Sequence, residues 1–151
     1  MPIDLKKFKK TKFTARTQAV PVPDMKGFFP EGDDPVWTVR GLTGYELGRA
    51  KERAESNRNV AAILEGVASR SPSDVREAVK KIAGDHTDTP QDVAQRMYML
   101  AVGSVDPVLI DEAGNEDLDA VIQLVTAFPV EFYMITNKIN HLTGQGHLPG
   151  K

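Results

Sequence analysis

Three histidines, His86, His141 and His147, are where acid–base or metal chemistry would have to start. A metal pair on a helix needs a second His, Asp or Glu three or four residues away on the same face. Beside His141 those places hold Asn137 and Lys138, so no ligand pair forms there. Asp85-His86-Thr87-Asp88 has the residue types of an acid–base cluster, but histidine between aspartates in a polar turn reads first as a solvated turn. The run Asp111-Glu112-Ala113-Gly114-Asn115-Glu116-Asp117-Leu118-Asp119 suggests calcium. An EF-hand loop carries its glycine sixth, however, and counting back from Gly114 puts Leu109 where the first carboxylate belongs. An acid-rich first helical turn, complementing the helix dipole, accounts for these residues. Gly41 and Gly44 lack the Gly-Lys-Ser/Thr ending of a phosphate-binding loop, and the GxSxG nucleophile signature is absent. With no cysteine there is no disulfide, thiol nucleophile or thiolate-bound zinc. We therefore expect a protein that is not an enzyme and that needs no metal or cofactor.

The elements available are mostly helical in pattern. Phe128, Phe132, Ile135, Ile139 and Leu142 step four, three, four and three residues apart, one stripe of a helix that Pro129 opens and Gly144 closes. Val36 to Leu42 is the one strand-like stretch, with Trp37, Val39 and Gly41 alternating against Val36, Thr38 and Arg40. A lone strand is unstable, so it must pair with the preceding arm or with a second subunit. Thr43 and Glu46 then have capping-box spacing, opening a helix striped by Leu47, Ala50, Ala54, Ala61 and Leu64. Ser56-Asn57-Arg58-Asn59 should kink or break it. A short helix is expected from Ser71 to Gly84. Another opens at Thr89-Pro90-Gln91-Asp92, buries Val93, Met97 and Leu100, and ends near Gly103. A further helix, capped by Asn115, should turn Leu118, Val121, Ile122 and Val125 inward.

Residues 1–35 hold five of the ten prolines, which argues against a long helix or central strand there. The expected architecture is thus a mainly α protein. It has an extended Pro-rich arm (1–35), a single helical domain of five or six helices (36–144) and a flexible tail (145–151). In the arm, Phe28 and Phe29 either pin the segment to its own body or hook another chain.

At 151 residues the chain can bury a substantial core. No run approaches the roughly 18–20 apolar residues of a membrane span, and Met1 to Lys12 lacks the apolar centre of a signal peptide, so a cytoplasmic protein is expected. The net charge of −2 hides an asymmetry. Residues 1–16 carry six cations against Asp4, a net of +5, while the rest carries 13 basic and 20 acidic residues, a net of −7. The basic arm is either a solvated, disordered start or a contact for nucleic acid or an acidic partner. Only Phe8 and Phe13 interleave with its lysines, too few for a base-stacking surface, so nucleic acid is the lesser expectation.

Two segments carry a family resemblance. Trp37-Thr38-Val39-Arg40-Gly41-Leu42-Thr43-Gly44-Tyr45-Glu46 leads from strand to capped helix. Phe128-Pro129-Val130-Glu131-Phe132-Tyr133 runs on to Thr136-Asn137-Lys138-Ile139 and Leu142-Thr143-Gly144. Over Val36 to Gly144 the chain resembles the tail assembly chaperones of long-tailed bacteriophages. That resemblance implies a mostly helical, self-associating protein in the cytoplasm of the bacterial host, absent from the mature virion. It also implies that the protein coats the tape measure protein and keeps it soluble during tube assembly. A longer frameshifted product would recruit the tail tube protein. The closing Gly150-Lys151 fits a slippery GGA-AAG codon pair.

On this reading Phe28, Phe29 and Trp37 serve self-association, and Tyr133 and Met134 touch the client. Trp37 and Tyr133 have core packing as their alternative. Two other functions stay open, a small nucleic-acid-associated phage regulator acting through the basic arm and a head–tail connector or other virion component.

Overall fold

The structure, a computed structural model, is described for residues 2–68 and 91–149, with backbone alone for 57–68. It is not the mainly α domain that the helical stripes lead one to expect. Among the described residues, five strands in two antiparallel sheets share the fold with five α-helices and one 3₁₀ helix, a mixed α/β architecture. The helices are α1 (Leu5–Lys10), α2 (Gly44–Ala68), α3 (Gln91–Gly103), α4 (Leu118–Ala127) and α5 (Pro129–Gln145). The strands are β1 (Phe13–Thr14), β2 (Thr17–Pro21), β3 (Val36–Arg40), β4 (Ser104–Asp106) and β5 (Leu148–Pro149), and the 3₁₀ helix is Pro23–Phe28.

The strand-like stretch at Val36 is the centre of this correction. β3 is the middle strand of the order β2-β3-β4, so the segment expected to be an arm supplies one neighbour and the residues after α3 supply the other. The prolines bound these elements rather than forbid them. Pro21 ends β2 on a sheet edge, where a missing amide hydrogen breaks no ladder, and Pro23 opens the 3₁₀ helix at its first turn. The Pro35 carbonyl accepts from the Val22 amide at 2.8 Å, closing the loop between β2 and β3. Val20 and Val22 are consequently core residues, and Met25 closes the core beneath them. At the other end Leu148 and Pro149 pair with Thr14 and Phe13 in a two-stranded sheet instead of dangling.

Helix expectations fare better, with local corrections. Thr43 and Glu46 form the capping box reciprocally. The Thr43 amide donates to Glu46 Oε1 at 3.0 Å, and the Glu46 amide donates to Thr43 Oγ1 at 3.2 Å. α2 then runs unbroken through 56–59, where a kink was expected. α3 ends at Gly103, as its pattern predicts. A Cβ at that position would meet Ile139 Cδ1 at 2.8 Å, so glycine permits the close contact of α3 with α5. α4 is capped by the Asp117 side chain, which accepts from the Ala120 amide, and not by Asn115. Its inward face is Val121 and Leu124 with Val125 packed against the core, leaving Leu118 and Ile122 exposed. Near Phe128 the chain turns by 117° into α5. There Phe132, Ile135, Ile139 and Leu142 are all buried, and the helix continues one residue past Gly144 to a cap at Gly146 with φ 76°. The predicted helix from Ser71 to Gly84, the His86 turn, the Thr89-Pro90 entry and Gly150-Lys151 lie outside the described residues.

Candidate interaction surface

α5 carries two faces because its apolar residues outnumber what one stripe can hold. With one face in the core, Val130, Tyr133, Met134, Asn137, Lys138 and His141 fall on the opposite one, at spacings of three and four. Its N-terminal end is apolar and open, with Val130 65% and Met134 44% exposed. Phe28, 76% exposed, stacks edge-on against Phe128 with ring centroids 6.1 Å apart, extending that apolar end beyond the helix. Phe29, by contrast, packs against the core. Of the two phenylalanines, Phe29 is the anchor and Phe28 is the one left outside.

Tyr133 is held rather than loose. The Arg96 guanidinium lies over its ring at 4.6 Å, and Phe132 meets it edge-on at 5.4 Å. Arg96 reaches across from α3, donating to Thr136 Oγ1 at 2.7 Å and Asn137 Oδ1 at 2.8 Å, with Asp92 one turn back at 3.1 Å. This network fixes the rotamers of the middle of the face, which a binding surface needs if its partner is not to do the ordering. The Asp92–Arg96 spacing is visible in sequence; the reach to α5 is not.

Trp37, placed with the self-association residues in sequence, is only 6% exposed. Its indole donates to Ser104 Oγ at 2.9 Å, which in turn donates to the Leu100 carbonyl at 2.6 Å. Packing and this relay tie β3 to the end of α3, so Trp37 is a core residue and offers no surface to another chain.

The two resemblance segments meet in space. The Leu42 amide donates to Thr143 Oγ1 at 2.9 Å, and a Cβ on Gly41 would approach the Leu142 carbonyl oxygen at 3.0 Å. Within the first segment Arg40 makes two bonds to Glu46, at 2.9 and 2.7 Å, tying the end of β3 to the start of α2. Hydrogen bonding by Arg40 holds the Glu46 carboxyl below the usual glutamate range, with help from Thr43, and the same pairing raises Arg40. In the 111–119 loop, Asp111 is lowered mainly by the Asn115 amide, part of a tight turn around Gly114 at φ 85°. Among the described residues no cluster of three His, Asp or Glu side chains is placed to hold a metal ion. Nor is any single described helix long and apolar enough to cross a membrane.

A groove of about 420 Å³ runs where the sheet meets α5, lined by Gln18, Ala19, Val20, Pro21, Met134, Asn137, Lys138 and His141. It continues the outer face of α5 toward β2. No sequence pattern marks it, because it depends on a strand pairing between distant segments. No family model, curated protein or solved structure matches this chain.

Proposed function

We propose that this chain is a tail assembly chaperone of a long-tailed bacteriophage. It self-associates and binds the tape measure protein in the host cytoplasm, keeping that client soluble while the tail tube forms. The observation that carries the reading is the open apolar end of α5, where Phe28, Val130, Tyr133 and Met134 stand outside a well-filled core. Helical clients are recognised by apolar side chains laid against such faces, and large exposed apolar groups on a small body mark interaction sites. The junction of the two resemblance segments through Leu42 and Thr143 supports the same reading, since it gives those residues a shared structural reason to occur together. A longer frameshifted product, recruiting the tube protein, completes the proposal, and neither product remains in the virion.

Co-expression tests it. The tape measure protein from the same genome should be insoluble alone and soluble with this chain. A Phe28→Asp/Met134→Asp double variant should lose most of that protection while keeping its melting temperature. Undiminished protection by the double variant would remove α5 from the client site, and no protection by the native chain would remove the chaperone assignment.

One feature favours a second reading, a nucleic-acid-associated regulator. α1 buries none of its residues and presents Lys6, Lys7, Lys9 and Lys10 to solvent. DNA binding that weakens steeply with salt and vanishes on deleting residues 2–12 would promote it.

A further inference from the structure

β2 is a terminal strand, and its hydrogen-bond parity can be read from both ends. The Gly41 amide donates to the Arg16 carbonyl at 2.9 Å and the Val22 amide to the Pro35 carbonyl at 2.8 Å. The register between them pairs Gln18 with Val39 and Val20 with Trp37. In an antiparallel pair the inward-bonding residues alternate, so Arg16, Gln18, Val20 and Val22 turn their backbone groups to β3. Thr17, Ala19 and Pro21 turn theirs outward. Among the described residues nothing bonds the Thr17 and Ala19 amides or the carbonyls of these three residues. Pro21 contributes no donor, so the open edge is short and ends abruptly.

This edge borders the groove described above, and the groove has two ends of different chemistry. Val20, Pro21 and Met134 make an apolar wall, while Lys138 and His141 stand at the rim and enter no ion pair among the described residues. We propose that this edge and groove take an extended, acidic segment of a partner protein as an added strand. Its backbone pairs with Thr17 and Ala19, one apolar side chain enters beside Val20 and Met134, and a carboxylate meets Lys138 and His141. Open edges template strand addition, and side-chain pockets beside the edge supply the selectivity. Charge complementarity decides the occupant. A second copy pairing through the same edge would bring Thr17-Gln18-Ala19-Val20-Pro21, which has no carboxylate to meet Lys138. The inference does not rest on the tape measure assignment and goes beyond it, since that client is met through a helical face.

The test selects binders to the full-length chain from a displayed library of random dodecapeptides. The expected winners alternate apolar residues and carry at least one Asp or Glu. Ala19→Pro removes an outward amide without breaking a bond to β3, so it should keep the melting temperature and weaken the winners about ten-fold or more. Lys138→Glu, on the helix and away from the strand, should weaken them comparably. On binding, the Thr17 and Ala19 amides should gain protection from hydrogen exchange. The proposal is overturned if no peptide is enriched, or if winners bind Ala19→Pro as well as they bind the native chain. It is equally overturned if Lys138→Glu abolishes binding while the Thr17 and Ala19 amides stay unprotected, which is charge attraction without strand addition.

Discussion

Trp37 and Arg96 hold the molecule together in different ways. Trp37 fills volume at the centre of the sheet and also donates to a buried hydroxyl, so truncation leaves a cavity and takes from Ser104 Oγ the one donor it accepts from, its own bond to the Leu100 carbonyl remaining. Trp37→Ala should therefore cost about 3–5 kcal/mol and lower the denaturation midpoint at every protein concentration. An oligomer lost from an equally stable protein would contradict this placement. Alternation along Val36 to Arg40 made the burial of Trp37 legible, because two buried and three half-buried residues take turns on the strand. The relay through Ser104 was not legible, since the two residues lie far apart in the chain and are joined only by the fold. Arg96 was hidden for the same reason: within its own helix it is one half of an ordinary surface pair with Asp92.

Among elements, the α2 entry gives the sharpest prediction. Thr43→Ala removes the cap acceptor and should cost about 1 kcal/mol. Glu46 has its folded-state pKa lowered by Arg40 and Thr43. Its contribution is therefore fully present above the ordinary glutamate pKa and is lost as the pH falls through the lowered folded value. Melting curves from pH 7 downward should show this loss beginning in the normal glutamate range, and Glu46→Gln should remove that part of the slope. An unchanged slope in the variant would show that other carboxylates dominate acid unfolding. The capping box and the α5 stripe were readable because both are local patterns, set within a turn or two of helix. Of the sheet, the pairing of β3 with the arm was one of the two partners expected, whereas β4 was not legible, because three residues become a strand only by pairing with β3. Counting prolines in residues 1–35 misled for a related reason: proline bars a strand's interior, and Pro21, Pro23 and Pro35 stand at ends. On α4 the core takes Val121 and Leu124, with Val125 packed against it, and leaves Leu118 and Ile122 of the expected stripe exposed.

At the scale of the whole molecule, the boundary between attached and dispensable chain moves toward the N-terminus. α1 buries nothing, whereas Val20 and Val22 are core. Deleting residues 2–12 should leave the melting temperature within a few degrees, and deleting 2–22 should abolish cooperative unfolding. If both deletions fold alike, residues 13–22 are not part of the core sheet. The charge distribution follows the same boundary. Most of the positive charge of the first sixteen residues lies on the dispensable part, so the shorter deletion also leaves a more uniformly acidic protein.

Trp37 has one more consequence. It is the sole tryptophan, it is shielded from water, and it sits directly across from Val20 on the strand that forms the open edge. Excited to the red of tyrosine absorption, the unlabelled protein thus emits from one indole, next to the strand where a partner would add. Unfolding should move that emission to the red, and occupancy of the β2 edge should change its intensity without that move. A cuvette and the native chain are enough to tell one event from the other.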